Sequence, residues 1–61
     1  MIQQLYDLDG EHLGEINAIE NLDGFYRIAY STDDDEYEIL VEEFDIDFYN
    51  NQIFIIRMYN A

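Results

Sequence analysis

The sequence lacks cysteine, proline and lysine, and each absence narrows what the chain can be. Without cysteine there are no disulfides, no thiolate chemistry and no cysteine metal ligands, so the fold must depend on its apolar core. Without proline and with only three glycines, turns must be marked by Gly and by Asp/Asn clusters. The absence of lysine leaves Arg27 and Arg57 against fifteen acidic residues, and the formal net charge is −13.

This charge excludes several classes of partner. Direct binding to nucleic acid or to an anionic membrane would be repulsive, because phosphate attraction dominates such affinity. The 61 residues contain no apolar run of the roughly 20 residues that a membrane helix needs, and the first residues lack the basic segment of a signal peptide. Nearly half of the residues are apolar and ten are Phe or Tyr, which indicates a folded chain. We therefore expect one acidic, cytoplasmic domain over residues 1–61.

Turn residues and alternating apolar side chains predict an all-β fold. Asp9-Gly10 and Asp23-Gly24 are strong signals for tight hairpin turns, Asn50-Asn51 predicts another turn, and Gly14 is suited to a bulge or sharp bend. Residues 31–35 are a polar loop. Strands are predicted over residues 2–8, 12–20, 25–30, 36–41, 44–48 and 52–59, the last of them buried on both faces. This number of short strands favours a small five- or six-stranded antiparallel barrel.

A helix around residues 33–44 is the alternative, and it would make the fold α+β. Several apolar residues of this segment also fit a 3.6-residue period, and Asp33 with Glu36 could form a capping box. Such a helix would expose Ile39 and Ile46, so a strand is the favoured interpretation.

Short motifs resemble the PRC-barrel family. Residues 9–16 (DGEHLGEI) are similar to the hairpin and Leu-Gly-Glu strand that open these domains, and residues 38–41, 44–47 and 52–55 are similar to the later strands. The resemblance spans residues 5–58. It implies a small SH3-like barrel that acts as an interaction module and not as a catalyst.

The inventory of reactive side chains argues against an enzyme. Ser31 and Thr32 lie in a loop beside three aspartates, and His12, the only imidazole, follows a turn and is expected at the surface. A domain of this size cannot build a substrate cleft of several hundred cubic ångströms. Residues 7–10 fail the calcium-loop spacing, and residues 33–36 are too loosely arranged for a dedicated metal site. We expect no catalytic residue, no metal and no cofactor.

The acidic surplus is the informative feature. A solvated surface explains a net charge of magnitude about 2–8, and it does not explain a net charge of −13. A halophilic origin would be a further explanation of the low lysine content. On a strand, alternate side chains recur every 6.6–6.8 Å or so, which allows evenly spaced carboxylates to imitate phosphates. In composition and size the chain resembles phage-encoded acidic inhibitors that mimic DNA, including uracil-DNA glycosylase inhibitors and certain anti-CRISPR proteins. The partner-binding residues predicted on this hypothesis are Asp33, Asp34, Asp35, Glu36, Glu38, Glu42, Glu43, Asp45, Asp47 and Tyr49.

Two functional hypotheses follow. The first is a DNA-mimic inhibitor that occupies the nucleic-acid-binding surface of a basic protein. The second is a PRC-barrel-type adaptor or assembly module, monomeric or homodimeric, that binds a basic protein. Under either one, Arg27 and Arg57 are expected in salt bridges, and Tyr49 and Tyr59 are the aromatic residues expected to be exposed.

Overall fold

A computed structural model describes residues 2–60, which form a closed barrel of five strands. The strands are β1 (Gln4–Tyr6), β2 (His12–Asn21), β3 (Tyr26–Ser31), β4 (Glu36–Asp47) and β5 (Gln52–Met58). No helix occurs within residues 2–60. The all-β prediction is therefore confirmed, and the helix considered for residues 33–44 is replaced by a loop and the first part of β4. A strand is favoured there because it points Ile39 and Val41 toward the barrel interior, where Val41 is fully buried.

The barrel is a meander whose closing seam is parallel. β1, β2, β3, β4 and β5 pair in chain order, each antiparallel to the next, and β5 then pairs with β1 in parallel. Strand direction alternates along a meander, so the first and fifth strands must run the same way. The prediction of an antiparallel barrel holds for four of the five seams and was wrong for the fifth, because an odd number of strands cannot close antiparallel throughout.

The hairpin turns form where the sequence places them, but with different geometries. Asp23 and Gly24 both have positive φ (64° and 109°), and Leu22 N–H donates to the Phe25 carbonyl at 2.8 Å, which makes a two-residue turn. At the first turn Gly10 N–H donates to the Asp7 carbonyl at 3.0 Å, and only Gly10 is left-handed (φ 82°). The Asp7 carboxylate stabilises this longer loop by accepting the N–H groups two and four residues on, each at 2.9 Å.

β4 is one continuous strand, although the sequence predicted two strands over residues 36–41 and 44–48. The alternation of inward-facing and outward-facing side chains changes phase between Val41 and Phe44. Both contact the core, although residues three apart on a regular strand face opposite sides. A bulge at Glu42 absorbs this phase change, and a compensating bulge at Ile56 of β5 restores the register by Phe44 opposite Ile55. A phase change in the apolar pattern therefore marks a bulge here and not a turn.

The core lies inside the barrel and is small. Its buried members come from four of the five strands and are Leu5, Ile28, Tyr30, Val41, Ile53 and Ile55. β5 contributes the residues of one face only, since Phe54 is half-buried and Ile56 is exposed. The prediction that β5 is buried on both faces was wrong, because the outer surface of a five-stranded barrel has no second layer to cover it.

β2 and β4 each pass from one half of the barrel to the other. β2 pairs with β1 through residues 12–15 and with β3 through residues 15–21. β4 pairs with β3 through residues 36–41 and with β5 through residues 41–47. Gly14 lies at the crossing point of β2, where an added Cβ would be 2.3 Å from the Ser31 carbonyl oxygen. The irregularity predicted at Gly14 lies one residue earlier, since Leu5 pairs with Gly14 and Tyr6 with His12, which leaves Leu13 as the bulged residue. Gly14 itself is required by the close approach of β3.

Candidate protein-binding surface

The predicted acidic residues lie on one continuous piece of chain, the loop between β3 and β4 followed by β4 itself. This acidic band contains nine of the fifteen carboxylates, which are Asp33, Asp34, Asp35, Glu36, Glu38, Glu42, Glu43, Asp45 and Asp47. Because β4 passes from the β3 side of the barrel to the β5 side, the acidic band follows a curved path around the molecule and does not lie on one flat face.

The loop at the start of the acidic band is ordered by Thr32. Its hydroxyl accepts the N–H groups of Asp34 and Asp35, both at 3.2 Å, and its own N–H donates to the Asp35 carbonyl at 2.9 Å. The Asp35 carboxylate accepts the Glu36 N–H at 2.8 Å. The carboxylates of Asp33 and Asp34 have no partner among the described residues and are exposed to solvent. The loop is therefore a fixed turn that presents unneutralised negative charge.

In the first half of β4, Glu36 and Glu38 lie across from Ser31 and Ala29 of β3. On the other side of β3, Glu15 and Glu20 of β2 lie across from Ser31 and Arg27. Strands pair at about 4.8 Å, so the carboxylates of β2 and β4 lie about 10 Å apart on either side of β3, with Arg27, Ala29 and Ser31 between them.

The two arginines partly neutralise the middle of the acidic band. Arg57 of β5 pairs with Glu42 at 3.1 Å and Glu43 at 2.9 Å, across the bulge. Arg27 of β3 pairs with Glu20 at 2.6 Å and more loosely with Glu38 at 3.9 Å. The prediction that both arginines form salt bridges is confirmed. Uncompensated charge is left at the two ends of the band.

The far end of the acidic band leads into the turn between β4 and β5. Asp45 and Asp47 lie across from Phe54 and Gln52, on the outer face. Asp47 accepts the side-chain amide of Asn50 at 2.9 Å and its backbone N–H at 3.1 Å, and these hydrogen bonds hold the pKa of Asp47 below its ordinary value. Asn51 is left-handed (φ 54°), so the turn predicted at Asn50-Asn51 is confirmed.

The structure identifies surface residues that the sequence did not. Phe48 was predicted inside a strand but follows β4 and is 77% exposed, and Tyr49 beside it is 93% exposed, as predicted. Tyr59 was expected at the surface and is instead half-buried, because its ring stacks on Phe25 at 3.9 Å. His12 is exposed as expected and contacts the Tyr6 ring. The only signal for the exposure of Phe48 was its position next to the Asn50-Asn51 turn, because the residue itself continues the alternation of Phe44 and Ile46.

An apolar groove lies at the end of the barrel nearest the first hairpin turn. It has a volume of about 290 Å³ and is lined by Leu8, Leu13, Tyr30, Ile39, Ile55 and Met58, with Asp7 and Asp9 beside them. Leu8, in the turn, covers it incompletely and is itself 56% exposed. The groove was not predicted, since its residues come from the first hairpin turn and from four different strands.

Within residues 2–60, no three His, Asp or Glu side chains are grouped closely enough to hold a metal ion. The same residues include no helix that is long and apolar enough to cross a membrane. Comparison with protein-family models, curated proteins and solved structures finds no match to the chain. The charged and apolar surfaces of the barrel are therefore what can indicate its function.

Proposed function

We propose that this barrel is a non-enzymatic protein-binding module that acts as a DNA mimic, with its acidic band occupying the nucleic-acid-binding surface of a basic protein. The observation that supports the proposal is the concentration of nine carboxylates on one loop and one strand, against two arginines. The six remaining carboxylates are distributed over β2 and the first two hairpin turns.

The geometry of the acidic band suits a groove built for phosphates. Glu36 and Glu38, and likewise Asp45 and Asp47, are alternate residues of a strand and are spaced by roughly 6.6–6.8 Å. Their scaffold is a closed barrel with extents of 28 × 26 × 21 Å, so the charges are held in place before binding. Association would be accelerated by long-range attraction and weakened by salt.

The test is competition with DNA. A basic protein captured from the native host on the immobilised barrel at low salt would be purified, loaded with fluorescently labelled duplex DNA, and titrated with the barrel. We expect displacement of the DNA, seen as a fall in fluorescence anisotropy, and loss of displacement at high salt. A captured protein that binds the barrel and DNA at the same time would contradict mimicry.

Matched variants locate the binding surface. Asp34→Asn combined with Asp45→Asn neutralises both uncompensated ends of the acidic band, and Asp9→Asn combined with Glu11→Gln makes the same change of net charge outside it. Displacement should weaken much more in the first pair than in the second. Equal weakening would mean that net charge alone, and not the band, causes binding.

The PRC-barrel-type adaptor is the second candidate, and the apolar groove beside Leu8 favours it. An adaptor would bind through this groove, so its binding would survive high salt and would be weakened by Leu13→Ala or Met58→Ala. Salt-resistant capture of a partner that leaves DNA bound would support this function in place of mimicry.

A further inference from the structure

Within residues 2–60, two Phe or Tyr rings have no ring partner, and they are adjacent in the chain. The other eight Phe and Tyr side chains form four ring pairs, which are Tyr6–Phe54, Phe25–Tyr59, Tyr26–Phe44 and Tyr30–Tyr37. Phe48 and Tyr49 take part in none of these pairs, and they are the two most exposed large apolar side chains in the described part of the chain. Solubility does not account for two such rings side by side on a barrel that otherwise pairs its rings.

These rings lie next to carboxylates on a rigid turn. We define the aromatic tip as Asp45, Asp47, Phe48 and Tyr49. Asp47 fixes the turn through both of its carboxylate oxygens, which accept hydrogen bonds from Asn50. The carbonyl of the left-handed Asn51 accepts the Gln4 N–H at 2.9 Å, which ties the turn to β1. Asp45 has no partner among the described residues, so the aromatic tip combines one free carboxylate near the end of β4 with two exposed rings on an ordered turn.

A flat cation suits this combination better than a point charge does. The guanidinium of arginine can stack on an aromatic face and donate paired hydrogen bonds to a carboxylate, whereas a lysine ammonium is compact and strongly hydrated. Order in the turn reduces the entropy lost on binding, and Tyr and Phe supply large contact area for few rotatable bonds. The negative charge of the protein opposes the phosphate backbone that would bring the bases of a nucleic acid to these rings.

We propose that the aromatic tip is a recognition site for arginine, and that the basic partner of this protein presents arginine side chains, not only lysine, to the turn between β4 and β5. The inference deepens the proposed function by naming the chemistry of the partner surface, and it depends on that function only in requiring a basic partner.

The test compares oligoarginine with oligolysine peptides of equal length and charge. Binding to the intact protein is measured by calorimetry, and the contact residues are located by amide chemical shifts in isotope-labelled protein. We expect tighter binding of oligoarginine, with shifts at Phe48 and Tyr49. Phe48→Ala combined with Tyr49→Ala should weaken oligoarginine binding by about two- to fivefold per ring and oligolysine binding by less.

Three control variants make the result specific. Leu8→Ala removes an exposed apolar residue that also lies between two aspartates, at the first hairpin turn, and it should leave the preference for arginine unchanged. Tyr49→Phe keeps the ring and should retain the preference. Asp45→Asn should weaken both peptides and reduce their salt dependence. Melting temperatures confirm that every variant is folded.

The proposal is overturned if the double alanine variant keeps the full preference for oligoarginine, or if oligoarginine leaves the resonances of Phe48 and Tyr49 unshifted. DNA displacement by the barrel could still occur in that case, through the carboxylates alone. Conversely, a preference for arginine that depends on the rings, without any displacement of DNA, would support this site and refute mimicry. The two proposals therefore fail separately.

Discussion

Gly14→Ala should be among the most destabilising single-methyl changes in this barrel. The new Cβ would be 2.3 Å from the Ser31 carbonyl oxygen, 3.0 Å from the Ser31 carbonyl carbon and 3.1 Å from Cδ2 of Tyr30. The first distance is about 1 Å or more too short for van der Waals contact. Ser31 cannot yield easily, since it is paired with Glu15 on one side and Glu36 on the other.

The expected cost is about 3 kcal/mol, at the upper end of the range for overpacked sites. A domain of this length has roughly 3–9 kcal/mol of total stability, and a loss of this size lowers the melting temperature by roughly 12–24 °C. Urea denaturation followed by circular dichroism, at fixed salt, measures the loss. Gly10→Ala is the matched control, because a Cβ there meets nothing within 4 Å and costs only the strain of φ 82°, about 1–2 kcal/mol. A Gly14→Ala loss below that of Gly10→Ala would refute the close-approach argument.

Three further predictions concern charge and packing. Arg57→Gln should lower the melting temperature at low salt and much less at moderate salt, because it removes two exposed ion pairs worth about 0.2–1 kcal/mol each. An equal fall in melting temperature at both salt concentrations would indicate lost packing instead. Because the pKa of Asp47 is lowered in the fold, its carboxylate stabilises the protein above the ordinary aspartate value of 3.8, and this stabilisation is lost as the pH falls through the lowered pKa. The stability difference between wild type and Asp47→Asn should therefore narrow in strong acid, whereas mild acidification should stabilise both proteins by reducing charge repulsion. A stability difference that stays constant across a pH titration would contradict this. Ile53→Val should cost about 0.5–1.5 kcal/mol in chemical denaturation and Ile56→Val much less, since only the first is fully buried; equal costs would refute the assigned faces of β5.

Local patterns in the sequence were sufficient to predict the strands and most of the turns. Asp23-Gly24 forms the two-residue turn that its tolerance of positive φ predicts, and Ile39 and Val41 point inward as the alternation requires. These features depend on near neighbours in the chain, so a short window contains the information. The bulge at Glu42 also leaves a local signal, namely the phase change in the apolar pattern, but the same signal fits a turn. Only the partner strand, with its own bulge at Ile56, distinguishes the two.

What sequence could not provide is the arrangement of strands that are distant in the chain. The parallel seam between β1 and β5 follows from the number of strands, which could not be counted until residues 36–47 were known to form one strand. The partners of Arg27 and Arg57 likewise come from neighbouring strands. Phe48 was assigned to a strand because it continues the alternation of Phe44 and Ile46, and its exposure is a property of the turn that follows β4. The positions of the acidic residues were predictable, whereas the curvature of their path was not.

The closing seam has a consequence for synthesis of the protein. Leu5 and Ile53 are adjacent across that seam and both are fully buried, although most of the chain lies between them. β5 must emerge from the ribosome before β1 gains its second neighbour and before Ile53 and Ile55 can enter the core. Until then the nascent polypeptide has an unpaired strand edge on each side of an incomplete sheet. Its many carboxylates would keep such chains apart by mutual repulsion.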